Sequence, residues 1–173
     1  MQTIFLIGFM GSGKTTFGRK IATKLGLKFI DLDVALCIKY QVSSVKSLIE
    51  SKGMEFFREA ENETLKSLTL GDVVVATGGG TPCYFGSMDW MKGKGVVIFL
   101  NADEGVIYSR LKTTELHERP LLKNLDDRGL KEFIHTKLEE RLPYYNRAHI
   151  IFDPVNEKMD SLLDKIQDLK LET

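Results

Sequence analysis

The stretch GFMGSGKT, residues 8–15, decides the fold of this chain. A glycine, four variable residues and then Gly-Lys-Thr form the phosphate-loop pattern, here placed between the apolar run IFLI, residues 4–7, and a helical pattern that begins at Thr16. Glycines let successive backbone N–H groups turn towards one anion, and the following helix directs its positive end at the same place. A plain strand-to-helix turn would need neither the lysine nor the threonine. The loop therefore predicts binding of a nucleoside triphosphate.

Each part of this loop has an expected task. Lys14 would reach the β- and γ-phosphates, and the Thr15 hydroxyl would bind Mg²⁺. The predicted nucleotide-binding residues of the loop and the helix start are Gly11, Ser12, Gly13, Lys14, Thr15 and Thr16.

Length and composition indicate one soluble domain covering residues 1–173. Lysines and arginines number 24 and so do aspartates and glutamates, so charge gives no reason to expect nucleic acid or a membrane as a partner. Cys37 and Cys83 lack the spacing of a zinc site or a disulfide framework. No apolar run approaches the ~20 residues of a membrane span. We expect a cytoplasmic monomer.

Apolar runs and helical periodicities alternate along the chain. This order predicts an α/β protein with a five-stranded parallel sheet between two layers of helices. The predicted strands are 3–7, 28–30, 73–76, 96–100 and 149–152, and the predicted helices are 16–25, 44–51, 55–68, 103–111, 128–142 and 158–169, the fifth of them stopped by Pro143.

Two carboxylates follow the second predicted strand, at Asp31 and Asp33. Alternate side chains of a strand point to the same side, so both would face the ligand edge of the sheet. One then suits a metal and the other a substrate hydroxyl. The alternative is that Asp33 only caps the next helix.

Three glycines, Gly78 to Gly80, follow the third predicted strand. They would let a ligand approach the backbone closely, although a simple turn is the alternative. This strand lacks the usual acidic residue of a Walker B motif, so Asp31 is the candidate second partner for the metal.

Arg58, Arg119 and Arg141 are candidate ligands for carboxylate or phosphoryl oxygens, the alternative for each being a solvated surface charge. Arg119 lies near the end of the polar, aperiodic segment 112–121. That segment is either a surface loop or, in a phosphate-loop protein, a lid that closes over the nucleotide.

Taken in order, these motifs resemble those of the shikimate kinases, small phosphate-loop phosphotransferases related in fold to the nucleoside monophosphate kinases. Each later motif is weak alone, but unrelated phosphate-loop proteins share only the first. The matching elements are Gly8-x-x-Gly11-x-Gly13-Lys14-Thr15-Thr16, Asp31-x-Asp33, Phe57-Arg58-x-x-Glu61, Gly78-Gly79-Gly80, Arg119-Pro120-Leu121-Leu122 and Arg141-x-Pro143-x-Tyr145.

The resemblance implies a nucleoside-monophosphate-kinase-like fold, with a substrate-binding region at about residues 32–61 and a short lid at about residues 112–125. It implies transfer of a phosphoryl group from ATP, with Mg²⁺, to the 3-hydroxyl of shikimate. The product, shikimate 3-phosphate, lies on the route to chorismate and the aromatic amino acids.

The resemblance also assigns roles to single residues. Asp33 would hold the substrate hydroxyls and orient or deprotonate the attacking one, and Gly79 would donate its N–H to the substrate. Thr15 would bind Mg²⁺ directly and Asp31 through water. The implied catalytic residues are Asp33, Lys14 and Arg119, the last also binding ATP, and the implied substrate-binding residues are Asp33, Arg58, Gly79 and Arg141.

Two positions depart from the family pattern. Met54 stands where a glutamate usually follows Gly53, which we interpret as a local structural change. Lys112 stands where many members have an arginine that stacks on adenine, so Lys112 or Arg110 would make that contact.

Two other functions fit parts of the sequence. A gluconate or nucleoside monophosphate kinase would share the fold, but paired arginines suit a carboxylate better than a nucleobase. A nucleotide-gated regulator would share the phosphate loop, but it has no need of a second small-molecule pocket at Asp33 and the three glycines.

Overall fold

The computed structural model describes residues 3–113, 122 and 125–171, with only the backbone described at residues 170 and 171. Its centre is a five-stranded parallel sheet, as predicted, and the strands lie in the order β2-β3-β1-β4-β5. The strands are β1 (Thr3–Ile7), β2 (Lys28–Asp31), β3 (Val73–Ala76), β4 (Val96–Leu100) and β5 (Ile150–Phe152).

Helices connect consecutive strands. The helices of the described residues are α1 (Lys14–Leu25), α2 (Leu32–Tyr40), α3 (Val45–Ser67), α4 (Ser87–Lys92), α5 (Glu104–Lys112), α6 (Asp127–Tyr145) and α7 (Met159–Leu171), and a 3₁₀ turn spans Thr81–Cys83. None of these helices is long and apolar enough to cross a bilayer.

Two helical layers cover the sheet. On one face, Ile4 and Leu6 of β1 pack with side chains of α1 and α7. On the other face, Phe5 and Ile7 pack with side chains of α3 to α6. Because neighbouring residues of one strand are buried on opposite faces, the strands appear in the sequence as unbroken apolar runs.

The sequence patterns did not predict helix α2. Leu32 and Leu36 are buried, whereas Val34 and Ile38 on the same helix are exposed. Apolar residues therefore surround the helix and hide the period that would have shown it. The sequence patterns did not predict the short helix α4 either.

The sequence predicted that this helix stops before Pro143. In the structure, helix α6 continues to Tyr145. The N–H that proline lacks would have served the carbonyl of Glu139, an exposed residue whose carbonyl water can satisfy. The extra turn places Tyr145 in the core, fully buried.

Two predicted helices form one long element, α3, with a break at Gly53. Gly53 has φ 88° and ψ 168°, a conformation open to glycine and costly for other residues. Next to it, Met54 packs against a cluster that includes Leu48 and Phe57. This contact supports the interpretation of Met54 as a local structural change.

A histidine side chain takes part in the pairing of β4 with the start of β5. The Val97 N–H donates to Nδ1 of His149 at 3.0 Å, and the His149 N–H donates to the Val97 carbonyl at 2.9 Å. Nδ1 accepts a bond here, so it must be unprotonated. Partial burial and the nearby charge of Lys92 hold the pKa of His149 below its usual value.

We therefore expect His149 to weaken the fold in acid. A folded-state pKa below the unfolded value of about 6.5 contributes stability that is complete above that pH and lost as the pH falls through the folded pKa. Asparagine offers an acceptor oxygen that does not titrate. Between about pH 8 and about pH 5, wild type should lose about 1 kcal/mol more unfolding free energy than His149→Asn in urea titrations. Parallel pH profiles would contradict the assignment.

Candidate active site

A cleft of about 510 Å³ opens at the carboxyl ends of the strands, where ligands of parallel sheets bind. It joins the phosphate loop to the ends of β2 and β3. Its lining residues are Met10, Gly11, Gly13, Lys14, Thr15, Thr16, Phe17, Asp31, Asp33, Ala76, Thr77, Gly78, Gly79 and Arg110. Most of the predicted nucleotide-binding residues are among them.

The phosphate loop depends on three glycines with positive φ, at Gly8, Gly11 and Gly13. The last has φ 98° and ψ 17° and caps α1, which begins at Lys14 rather than at the predicted Thr16. The loop therefore ends directly at the positive pole of a twelve-residue helix whose first turn has no acidic residue. This geometry suits a phosphate.

The Lys14 ammonium lies at the centre of the loop. Its Nζ donates to the carbonyls of Gly8 and Phe9 at 2.8 and 2.9 Å. The ammonium is thus held within the loop, beside the space that the cleft offers to an anion.

Asp31 and Asp33 both line the cleft, but not for the predicted reason. Strand β2 ends at Asp31, which caps α2 by accepting the Asp33 N–H, so Asp33 lies in the first helical turn. The expectation that both project from one side of a strand is wrong, because capping turns the chain after Asp31. The other oxygen of Asp31 accepts the Thr15 hydroxyl at 2.9 Å.

The Asp33 carboxyl is open to the mouth of the cleft, but the walls remove much of the water around it. This desolvation, together with the negative charges of Glu61 and Asp31, raises the pKa of Asp33 to about 6. Lys14 and Arg58 act in the opposite direction. A carboxylate with a raised pKa is a better proton acceptor than an ordinary aspartate.

The three glycines after β3 are packed against charged side chains. A Cβ on Gly78 would lie 2.3 Å from Oε1 of Glu61, and one on Gly80 would lie 2.4 Å from Nη2 of Arg58. A Cβ on Gly79 would lie 3.1 Å from Nη1 of Arg141. A simple turn does not explain this, because a methyl group at Gly78 or Gly80 would displace a charged group.

Arg58 is largely buried and Arg141 is buried, so neither is a solvated surface charge. Nη1 of Arg58 pairs with Oε2 of Glu61 at 2.7 Å, and the two side chains are 12% and 2% exposed. The second oxygen of Glu61 accepts the Thr81 hydroxyl at 2.7 Å. Arg141 is 8% exposed, with its guanidinium carbon 5.3 Å from the Phe9 ring centroid. Neither arginine lines the large cleft itself; both lie beside it at the glycines.

Glu61 and Tyr145 have structural roles that the sequence did not reveal. The Tyr145 hydroxyl donates to the Gly79 carbonyl, and burial raises the pKa of this phenol, which keeps its proton in place. The i, i+3 spacing of Arg58 and Glu61 in the sequence indicates that the two residues can pair. The burial of this ion pair could not be predicted from the sequence, because it depends on contacts with Thr81 and the glycines.

Arg110, not Lys112, faces the nucleotide half of the cleft. Its Nη1 donates to the Gly11 carbonyl at 2.9 Å and lies close to Gly13. Lys112 instead pairs with Asp127 at 2.7 Å on the surface. Arg119 and most of the predicted lid lie outside the described residues.

Comparison with known proteins agrees with this geometry. The family model "Shikimate kinase" matches residues 10–170. A relative from Phocaeicola vulgatus with that name is 41% identical over 168 residues, which are 96% of this chain and 92% of the relative. The chain belongs to the shikimate kinase family.

Solved structures of the family share the whole fold. Shikimate kinase from Bacteroides thetaiotaomicron is 36% identical and superposes with a TM-score of 0.85 over 99% of both chains. Shikimate kinase from Acinetobacter baumannii, solved in complex with shikimate, is 30% identical, with a TM-score of 0.85 over 99% of this chain and 94% of that one. The fold predicted from the sequence is confirmed.

Replacing Glu61 tests the arrangement around Arg58. Glu61→Gln keeps the shape but leaves a buried guanidinium without its counter-charge, which should lower the free energy of unfolding by about 3 kcal/mol. Glu63→Gln is the matched control, since Glu63 lies on the same helix with a side chain 65% exposed and pairs with Lys39. The control should lose less than about 1 kcal/mol in urea titrations. Equal losses would show that the Arg58 pair is not buried in solution.

Proposed function

We propose that this protein transfers the γ-phosphoryl group of ATP to the 3-hydroxyl of shikimate. The observation that carries the proposal is the position of two buried arginines, Arg58 and Arg141, at the glycines that border the phosphate loop. Family membership supports it, and so does the shikimate complex of the Acinetobacter baumannii relative.

The nucleotide would bind at the phosphate loop. N–H groups from Gly11 to Thr16 would surround its phosphates, and the Lys14 ammonium would leave its two carbonyl partners to meet the β- and γ-oxygens. Arg110 borders the same part of the cleft. We therefore assign the contact with the rest of the nucleotide to Arg110 rather than to Lys112.

The acceptor would bind between Asp33 and the two arginines. Arg58 and Arg141 carry two positive charges, and Glu61 carries one negative charge. The remaining positive charge favours binding of a carboxylate substrate. Their guanidiniums would hold the shikimate carboxylate, and Gly79 would donate its N–H to the substrate. A Cβ on Gly79 would lie 3.3 Å from the Met10 amide nitrogen, which places this glycine against the phosphate loop. Shikimate, the phosphoryl acceptor, and ATP, the phosphoryl donor, would thus meet beside Gly79.

The oxygen donors beside the loop fit a Mg²⁺ ion. The Thr15 hydroxyl and the Asp31 carboxylate lie 2.9 Å apart, and both are hard ligands of the kind that Mg²⁺ takes together with waters and phosphates. Thr15 would bind the ion directly and Asp31 through water. When bound, Mg²⁺ would supply positive charge that offsets the negative charge of the phosphate oxygens.

In the transfer itself, the residues of this chain position groups and compensate charge. Asp33 orients the attacking hydroxyl and, with its raised pKa, can take up the proton that leaves as the new oxygen–phosphorus bond forms. The bond to the bridging oxygen of ADP breaks while Lys14 neutralises the departing charge. We propose that Arg119 adds positive charge at the transferring group and that segment 112–125 closes over it, which excludes water as a competing acceptor.

We further propose that residues 1–173 act as a single domain and a monomer in the cytoplasm. The phosphate loop, Asp33 and both arginines come from one chain, so the site needs no second copy. Cys37 and Cys83 are both free thiols, which suits a reducing compartment.

A coupled assay of ADP formation with shikimate, gluconate and AMP offered in parallel tests the function. We expect turnover with shikimate at saturating Mg-ATP, because only shikimate offers both a ring hydroxyl to Asp33 and a fitting carboxylate to the arginines. Turnover with AMP or gluconate in its place would contradict the proposal.

Asp33→Asn provides the matched variant. It keeps the shape of the side chain but removes its charge and basicity, so turnover should fall by about two to four orders of magnitude. ATP affinity, measured by calorimetry, should stay nearly unchanged. A variant that kept most of the wild-type kcat would show that the role given to Asp33 is wrong.

A further inference from the structure

Two aromatic rings enclose the Arg58 guanidinium. Its central carbon lies 4.9 Å from the centroid of the Phe57 ring and 4.7 Å from that of the Tyr84 ring. Phe57 is 5% exposed and belongs to the core, whereas Tyr84 is 46% exposed. The second ring therefore gains little from burial, and its contact with the arginine is its main described interaction.

The backbone that carries Tyr84 has an unusual conformation. Tyr84 follows the 3₁₀ turn Thr81–Cys83, directly after the three glycines. The next residue, Phe85, has φ 53° and Gly86 has φ 66°, both in the left-handed region. That region is costly for a bulky residue such as phenylalanine. Phe85 is itself 52% exposed, so packing of its own ring does not explain the cost.

The remaining contacts of Arg58 leave part of the group unsatisfied. Glu61 pairs with Nη1, and Nη2 lies against Gly80. Nε is buried and has no hydrogen-bond partner in the described part of the chain. A buried donor without a partner is unfavourable, so an anion that reached this group would be stabilised by it.

We propose that Tyr84 is a positioning residue for the acid substrate and that it acts through Arg58. Its ring covers the outer face of the guanidinium and, with Phe57, fixes the plane in which Arg58 meets a carboxylate. It also keeps water from that face, which strengthens the ion pair that forms there. This inference rests on the proposed function.

Steady-state kinetics of Tyr84 variants test it. Tyr84→Ala should raise the KM for shikimate about 3- to 30-fold, the range expected for loss of a cation–π contact. Both kcat and the KM for ATP should change less than about twofold, because Tyr84 is not among the residues that line the nucleotide cleft. Tyr84→Phe should restore the wild-type KM. Phe85→Ala is the control, since it removes a neighbouring exposed ring.

Two further measurements separate positioning from a structural effect. Tyr84→Leu keeps apolar bulk without a π face and should retain the raised KM. With the methyl ester of shikimate, which has no carboxylate charge, wild type and Tyr84→Ala should bind alike in calorimetry.

Several results would overturn the inference: an unchanged KM in Tyr84→Ala, a normal KM in Tyr84→Leu, an equal rise in Phe85→Ala, or the same loss with the ester. Circular dichroism would show whether a variant is folded, and Tyr84→Leu stands in if Tyr84→Ala is not. Absence of turnover of shikimate by wild type would instead defeat the proposed function and this inference with it. Wild-type turnover with unaffected variants would defeat the inference alone.

Discussion

The site depends on a steric constraint: three consecutive residues after β3 have no side chains. Glu61 and Arg58 occupy the space where the Cβ atoms of Gly78 and Gly80 would lie, and Arg141 lies in close contact with Gly79. Charged groups can therefore lie directly against the backbone at the end of a central strand. A side chain at Gly78 or Gly80 would displace the charged group of Glu61 or Arg58 from its position.

This constraint explains why the protein keeps an ion pair in its interior. Removing Arg58 and Glu61 from water costs free energy that their attraction recovers only in part, so such a pair is poor evidence for stability. The ion pair matters because it fixes the position of the Arg58 guanidinium. The pair holds a guanidinium beside the glycines, as the Tyr145 hydroxyl holds the Gly79 carbonyl. Binding sites of this kind need groups that are already in place before the substrate arrives.

The parts of the structure that sequence could predict are those fixed by local rules. The phosphate loop has glycines at the positions that need positive φ, and the buried strands are continuous apolar runs. These two signals gave the sheet and the nucleotide half of the cleft. Residue type and position made Asp33, Arg58 and Arg141 candidates, and the family resemblance gave them their roles towards the acceptor. In the structure Arg141 lies against Gly79, Arg58 against Gly80 and Asp33 beside Asp31.

What sequence could not predict depends on distant contacts. Helix α2 has apolar residues on every side, and only the fold shows that Leu32 and Leu36 are the buried ones. Asp33 reaches the cleft from a helical turn because Asp31 caps that helix. The contact between Arg58 and Tyr84 joins residues 26 positions apart, and no local pattern indicates it.

A crystal structure with ADP, Mg²⁺ and shikimate is the most direct test of this account. The carboxylate of shikimate should accept hydrogen bonds from both Arg58 and Arg141, with N–O distances of about 2.7–2.9 Å. A ring hydroxyl should face Asp33. A carboxylate bound away from both guanidiniums, or a ring turned so that Asp33 meets no hydroxyl, would contradict it.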